Sequence, residues 1–333
     1  MVEDTVHWGI LAAGGIAEKF IRSARALGAG NEVIAVASNT PGKAEAFAQT
    51  HEIAQAYGSY QALIENPQVD AVYVANTHNF HHETVMQALE AGKHVLCEKP
   101  LAVNATQVKE MIAKAAEKQL FLMEAMWTRF LLPCKMIGEW LGEGKIGEVR
   151  QIEATFGIKG NFAKDGRMLN PELAGGALLD MGIYPISFAS FVMGGEQPET
   201  IQTEVQFSET GVDADDVLIF KYKNGVTALL RCGFGMKYSN VARVTGTEGS
   251  ISIPHHFIAQ TEVNLETDSG IVTETDDVPD LERFQFEIEH AADCIRKGII
   301  DSPVMPLAET LAIAETMDRI RAQWNFVYSF ERG

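Results

Sequence analysis

Two groups of residues in this chain have the types and spacing of a proton-transfer site. The first is Glu98-Lys99-Pro100, directly after an apolar strand-like run from His94 to Cys97. Open parallel sheets place their ligands outside the carboxyl ends of the strands, so an ammonium here is well placed to reach one. The second is Gly175-Gly176-Ala177-Leu178-Leu179-Asp180-Met181-Gly182-Ile183-Tyr184, a glycine turn leading into a helix with Asp180 and Tyr184 four residues apart. That spacing puts both side chains on one helix face. A phenol is a poor acid-base group at its free pKa of about 10, but a nearby ammonium favours the phenolate and pulls the pKa toward neutrality. Lys99 supplies such an ammonium. Tyr184 would then take a substrate hydroxyl proton as hydride leaves the carbon, or return it in reverse, with Asp180 orienting the substrate or the lysine. The same residues, taken singly, also fit a solvated loop lysine, an amphipathic core tyrosine and a capping aspartate, and Pro185 predicts a kink in the helix.

Hydride chemistry needs an acceptor, and the turn after the first strand reads Ala12-Ala13-Gly14-Gly15-Ile16-Ala17, where a dinucleotide fingerprint would be G-x-G-x-x-G or its final-Ala variant. Gly14 falls on the middle glycine, whose missing side chain lets backbone N–H groups approach a pyrophosphate at a helix N-terminus. Ala12 replaces the first glycine. At the end of the second strand an Asp or Glu would bind the adenosine ribose diol of NAD, but this chain has Ser38-Asn39-Thr40. Without that carboxylate a 2′-phosphate is not repelled, and Lys43 can neutralise it. NADP is therefore expected, with NAD possible; the plain alternative makes Lys43 a surface lysine.

The elements that position these residues are legible from Val6 onward. Strand-like runs at Val6–Leu11, Val33–Ala37, Ala71–Ala75, His94–Cys97 and Phe121–Glu124 alternate with helical stretches at Ile16–Leu27, Ala44–Thr50, His82–Ala91 and Ala105–Lys118. This is the pattern of a doubly wound parallel Rossmann sheet. In the first helix Ile16, Phe20, Ala24 and Leu27 form the expected apolar face. After a helical bridge at Lys135–Leu141 the pattern becomes period-two, and Asp216–Tyr222, Asn224-Gly225 and Thr227–Phe234 predict an antiparallel hairpin. The second domain is expected to be α/β with a large, mainly antiparallel open sheet, interrupted by a helix at Ala174–Val192 and closed by helices at Glu282–Arg296 and Leu307–Gln323. We place the boundary so that residues 1–126 form the cofactor domain and 127–333 the substrate-binding and dimerisation domain, with the last helices able to pack back on the first. The acidic Glu274–Asp280 stretch predicts a solvated loop.

Composition narrows the function class. A chain of 333 residues suits two domains, and 46% hydrophobic with 22% charged residues is globular. A formal charge of −18 argues against nucleic acid or an anionic membrane as partner, because phosphate neutralisation needs clustered Lys and Arg. Cys97, Cys134, Cys232 and Cys294 are scattered with no C-x-x-C pair, so no zinc ribbon or disulfide scaffold is expected and a reducing compartment fits. Glu3 and Asp4 precede a strand-like run without the basic start of an export signal, and Ala174–Gly195 carries Asp180 and Pro185 against a bilayer span, so the cytosol is expected.

Taken together and in order, these residues resemble the glucose-fructose oxidoreductase, inositol dehydrogenase and rhizopine catabolism (Gfo/Idh/MocA) family, in its dimeric dihydrodiol dehydrogenase branch. The resemblance spans Gly14-Gly15-Ile16-Ala17, Thr77 with Asn79 and His82, Glu98-Lys99-Pro100, Met123-Glu124-Ala125-Met126-Trp127-Thr128-Arg129-Phe130, Gly175 to Tyr184, and Gly246-Thr247-Glu248-Gly249. It implies a Rossmann domain followed by a domain whose large sheet mediates a homodimer. It also implies Lys99 and Tyr184 as the catalytic pair with Asp180 beside them, and cofactor contacts at Asn76, Thr77, Asn79, His82, Glu98 and Lys99. Most of the family has histidine where Tyr184 stands; the tyrosine branch resembles dihydrodiol and NADP-dependent pentose dehydrogenases. Trp127, Arg129 and Phe156 are candidates for a substrate wall, as aromatic faces suit the apolar side of a ring and Arg binds hydroxyls; ordinary packing explains them equally. Ala12, and His78 where proline is frequent, depart from the pattern and bear on cofactor affinity.

The expected substrate is a sugar, polyol or cyclic diol. Three rivals stand beside this reading: an NAD-dependent glycosidase without net redox change, a cofactor-sensing protein that has lost its chemistry, and a zinc enzyme built on His78, His81 and His82. The last is disfavoured, because His78 and His82 straddle the strand-to-helix turn.

Overall fold

In a computed structural model that describes residues 5–332, the chain divides into two compact units. Glu3 and Asp4 lie outside the described residues. One unit comprises the chain up to Ala102, Thr106–Trp127 and Val278–Thr310; the other comprises Val103–Ala105, Thr128–Asp277 and the chain from Leu311.

The first unit is built from β1 (Val6–Leu11), α1 (Gly15–Ala26), β2 (Asn31–Ala37), α2 (Lys43–Thr50), β3 (Gln55–Tyr57), α3 (Tyr60–Ile64), β4 (Ala71–Val74), α4 (His81–Glu90), β5 (His94–Glu98), most of α5 (Ala105–Lys118) and β6 (Leu122–Ala125). Its strands pair in parallel in the order β3-β2-β1-β4-β5-β6. Chain order reverses between β1 and β4, the switch point at which doubly wound sheets take their ligands. Helix α1 buries Ala17, Phe20, Ile21 and Ala24, a stripe at three- and four-residue spacing. The expected face was shifted by part of a turn: Ile16 and Leu27 are only half-buried. The short β3 and α3 have no counterpart in the sequence reading, because three and five residues are too few to display a period.

The second unit contains α6 (Leu132–Gly142), β7 (Val149–Gly157), α7 (Ile183–Val192), β8 (Thr200–Phe207), β9 (Asp213–Lys221), β10 (Thr227–Gly233), β11 (Ala242–Gly246), β12 (Gly249–Ile253), β13 (Glu262–Thr267) and β14 (Gly270–Thr275). They form an eight-stranded sheet in the order β14-β13-β12-β11-β7-β10-β9-β8, antiparallel except where β10 runs parallel to β7. The expected hairpin is β9–β10, turned at Asn224-Gly225 with Gly225 at φ +87. Helix α7 packs on β7 and β10, and α6 on β13 and β14. Of the remaining helices, α8 (Gln285–Arg296) belongs to the first unit and packs on α1 and β1, while α9 (Leu307–Gln323) begins in the first unit and continues in the second.

The Ala174–Val192 segment is not the uninterrupted α-helix its composition predicts. It opens with a 3-10 turn at Pro171–Leu173, passes Ala174 in the left-handed region, winds as a π-helix over Leu178–Gly182, and only then becomes α7. The π-turn stands just ahead of Pro185, which lies in the first turn of α7, where a missing N–H is tolerated. Residues 171–192 are long and apolar enough to cross a membrane by length and composition alone, yet 89% of the apolar window is buried inside the protein. The acidic stretch is a loop from Asp276 onward, whereas Glu274 still belongs to β14.

Candidate active site

The glycine turn after β1 meets the requirements of a dinucleotide. Helix α1 starts at Gly15 with Gly14 as N-cap, a residue that has no side chain to cap the first N–H groups. A Cβ placed at Gly14 or Gly15 would meet nothing within 4 Å, so the space above the turn is open. Ala12 holds φ +93, the left-handed conformation that the fingerprint's first glycine adopts without strain, and its N–H bonds the carbonyl of Ala37 at 3.0 Å. Ile16 follows, half-buried. These features fit the pyrophosphate of a nicotinamide dinucleotide.

At the end of β2, Ser38 is buried and its Oγ accepts the N–H of Thr40 at 3.2 Å. Asn39 Oδ1 accepts the N–H of Tyr60, and Lys43 stands exposed at the start of α2. After β4, Asn76 Nδ2 donates to Thr84 Oγ1 at 2.8 Å and Thr77 Oγ1 to Asn79 Oδ1 at 2.7 Å. His82 Nε2 lies 2.7 Å from Glu110 Oε2. His81, weighed above only as a metal ligand, is fully buried instead, between the carbonyls of Pro100 and Asn76. Among the described residues no group of three or more His, Cys, Asp or Glu side chains can hold a metal ion.

Lys99 and Glu98 are both nearly buried at the end of β5, and the Lys99–Pro100 peptide is cis. Tyr73, from β4, donates its hydroxyl to Glu98 Oε1, and the Lys99 N–H donates to Glu98 Oε2 at 3.3 Å. Burial first, then the charge of Glu98, pushes the Tyr73 phenol well up, so it remains a donor. The turn is pinned from behind by Glu124, which accepts the Leu101 N–H at 2.8 Å and the Thr310 hydroxyl at 3.2 Å. Glu287, from α8, is fully buried, and neither of its carboxyl oxygens has a hydrogen-bond partner among the described residues. Burial and the charge of Glu98 push it well above the usual carboxylate range, against the pull of Lys19. Tyr73 and Glu287 escaped the sequence reading, and Glu124 entered it only as part of a strand and a matched motif; for Tyr73 and Glu124 the available signal was a polar group inside an otherwise apolar run.

In the second unit Asp180 lies on the π-turn and Tyr184 in the first turn of α7, both nearly buried. Phe156, at the end of β7, meets Tyr184 edge to face, ring centroids 5.4 Å apart at 81°. Arg167 Nη2 lies 3.2 Å from each carboxylate oxygen of Asp180, a partner that no spacing rule reveals. Beneath this helix start is a buried acid pair. Asp213 accepts the Leu178 N–H at 2.5 Å and is hydrogen-bonded to Asp216, which also accepts from Cys232 Sγ at 3.3 Å. Gly176 is required here: it has φ +131, and a Cβ would sit 2.3 Å from Asp213 Oδ1.

The other two wall candidates make the following contacts within their own units. Trp127 meets Phe284 at 5.3 Å with Lys19 Nζ 4.3 Å from its ring, within the first unit. Arg129 donates from Nε to Ser187 Oγ at 3.0 Å and from Nη2 to the Ser187 carbonyl at 2.8 Å, within the second.

Comparison with known proteins agrees with this geometry. Residues 6–126 match the profile of an oxidoreductase family with an NAD-binding Rossmann fold, and residues 135–252 match a GFO/IDH/MocA C-terminal domain. The chain is 37% identical over 327 residues to a trans-1,2-dihydrobenzene-1,2-diol dehydrogenase of Xenopus tropicalis, covering 96% of this chain and 98% of that protein. It is also 37% identical over 322 residues to the Homo sapiens protein of the same name, covering 95% and 96%. A 3-ketoreductase from Actinomadura kijaniata, crystallised with NADP and TDP-benzene, superposes with a TM-score of 0.84 at 27% identity, covering 96% of this chain and 97% of that one. With a Rossmann unit fit for a nicotinamide dinucleotide and profile matches in both halves, the chain belongs to the Gfo/Idh/MocA oxidoreductase family and is an NAD(P)-dependent enzyme of that family.

Proposed function

We propose that this enzyme is an NADP-dependent oxidoreductase that moves hydride between nicotinamide and a secondary hydroxyl or hemiacetal carbon of a sugar, polyol or cyclic trans-dihydrodiol. The observation that carries the reading is the nearly buried Tyr184 on the helix that also bears Asp180, edge-on to Phe156. Tyr184 exchanges the hydroxyl proton, Lys99 favours its phenolate, Asp180 orients the substrate, and Phe156 gives an apolar ring an aromatic edge. The bound nicotinamide supplies the hydride acceptor. Full-length similarity to trans-1,2-dihydrobenzene-1,2-diol dehydrogenases supports a diol or sugar substrate. Ser38 in place of a carboxylate and the exposed Lys43 support NADP.

The assembly we propose is a homodimer through the open face of the eight-stranded sheet. Val217, Ile219 and Leu229 are each 38% exposed there, and the strand register places Ile219 opposite Leu229. A contiguous apolar row on a sheet face is characteristic of a contact surface. Four buried free thiols suit a reducing compartment, in keeping with the cytosol.

The test is to incubate the purified protein with NADP or NAD and a panel of pentoses, hexoses, inositols and cyclic diols while following nicotinamide absorbance. Net NADPH formation is expected for at least one diol or sugar, with Lys99→Met and Tyr184→Phe each lowering kcat by about 10²–10⁴-fold. No reaction across the panel, or unaltered rates in both variants, rejects the mechanism; bond cleavage without net NADPH identifies a glycosidase instead.

A further inference from the structure

The geometry points to Arg167 as a specificity-determining residue that, with Asp180, reads the hydroxyl next to the one being oxidised and so selects neutral vicinal diols. This inference rests on the function proposed above.

Arg167 is positioned by a built loop. The chain turns at Gly166, where the N–H groups of Leu169 and Asn170 both return to the Gly166 carbonyl at 3.1 and 2.9 Å. The loop is then fastened to the glycine turn ahead of the Asp180 helix, Gly175 N–H to Asn170 carbonyl and Gly176 N–H to Met168 carbonyl, each at 3.0 Å. A Cβ at Gly175 would lie 2.9 to 3.0 Å from the carbonyl oxygens of Asn170, Met168 and Arg167. The glycine therefore permits the close approach that brings Arg167 to Asp180.

The ion pair is one-sided. Both Asp180 oxygens are reached by the same nitrogen, Nη2, and Nε and Nη1 of Arg167 have no partner among the described residues. The Arg167 side chain is 54% exposed, whereas that of Asp180 is 11% exposed. Nη2 holds the nearly buried carboxylate while the rest of the exposed guanidinium stays open to solvent, so the pair keeps donors that a ligand can use. It presents an acceptor-only group and a donor-only group side by side. A hydroxyl, which donates once and accepts twice, satisfies both together. With the reacting hydroxyl at Tyr184, in the turn after Asp180, the neighbouring hydroxyl of a vicinal diol is the group that reaches this pair. A lone alcohol leaves the pair facing carbon, and an anionic neighbour is repelled by Asp180.

The probes are trans-cyclohexane-1,2-diol and cyclohexanol, assayed with NADP on wild type, Arg167→Met and Arg167→Lys. We expect the ratio of kcat/KM for diol over alcohol to fall at least about tenfold in Arg167→Met, with partial recovery in Arg167→Lys, since hydrogen bonds to charged groups are worth that much. Equal losses on both probes, or no loss, overturn the inference. If wild type oxidises neither probe, calorimetric binding of the diol to the NADPH-bound protein decides. Binding lost in Arg167→Met but kept in Tyr184→Phe sustains the role of Arg167 while the catalytic reading falls. Diol binding that is absent, or unchanged in Arg167→Met, overturns it.

Discussion

The imidazole of His81 lies with Nδ1 2.8 Å from the carbonyl oxygen of Pro100, so the start of α4 holds the turn that carries Lys99. Its Nε2 is 3.1 Å from the carbonyl of Asn76, and a neutral ring, having one N–H, can donate to only one of the two.

Burial, opposed by those carbonyl contacts and helped by the nearby charge of Lys99, lowers the His81 pKa to about 4. The unfolded chain takes up a proton near pH 6.5, before the folded one does, so the contribution of this residue is complete above pH 6.5 and is lost as pH falls toward 4. Up to ~3 kcal/mol is involved. Thermal unfolding of wild type should show Tm falling through this window, and His81→Gln should flatten the fall. An unchanged slope contradicts the assignment.

The acid pair under the helix start that bears Asp180 behaves in the opposite sense. Burial raises Asp213 and raises Asp216 well above the carboxylate range, with Asp213 adding to the shift of Asp216. A folded state that keeps a proton the unfolded chain has released loses stability as pH rises from about 3.9 through the folded pKa. Asp216→Asn supplies a permanent donor to Asp213 and removes that dependence. As pH rises from about 3.9 the variant should lose less stability than wild type, and it should be at least as stable at neutral pH. A uniform loss of stability with the wild-type slope refutes this.

Cofactor choice should respond to Lys43 and Ser38. Lys43→Ala is expected to raise KM for NADP about tenfold, leave KM for NAD within about twofold, and lose its effect at high salt, because an exposed charge pair is screened. Ser38→Asp should shift preference toward NAD by restoring the ribose-binding carboxylate and repelling the 2′-phosphate. Parallel changes for both cofactors would place the 2′-phosphate elsewhere.

The sequence by itself determined most of what local period and short motifs govern. Alternating apolar runs and helical stripes located β1, β2, β4, β5 and β6 with their helices, Asn224-Gly225 set the β9–β10 turn, and Gly175-Gly176 marked a place where backbone comes close to another group. The candidate residues Lys99, Asp180 and Tyr184 were visible because each sits beside such a marker. What only tertiary structure decided are pairings between residues with no fixed separation. Arg167 on Asp180, His81 on Pro100, Tyr73 on Glu98 and Asp213 on the Leu178 N–H each join different segments of the chain. The π-turn before Pro185 belongs with them, as does the packing of Trp127 on Phe284 and of Arg129 on Ser187. A buried polar group must find its partner wherever folding brings one, and that search runs through space, where sequence period carries no information.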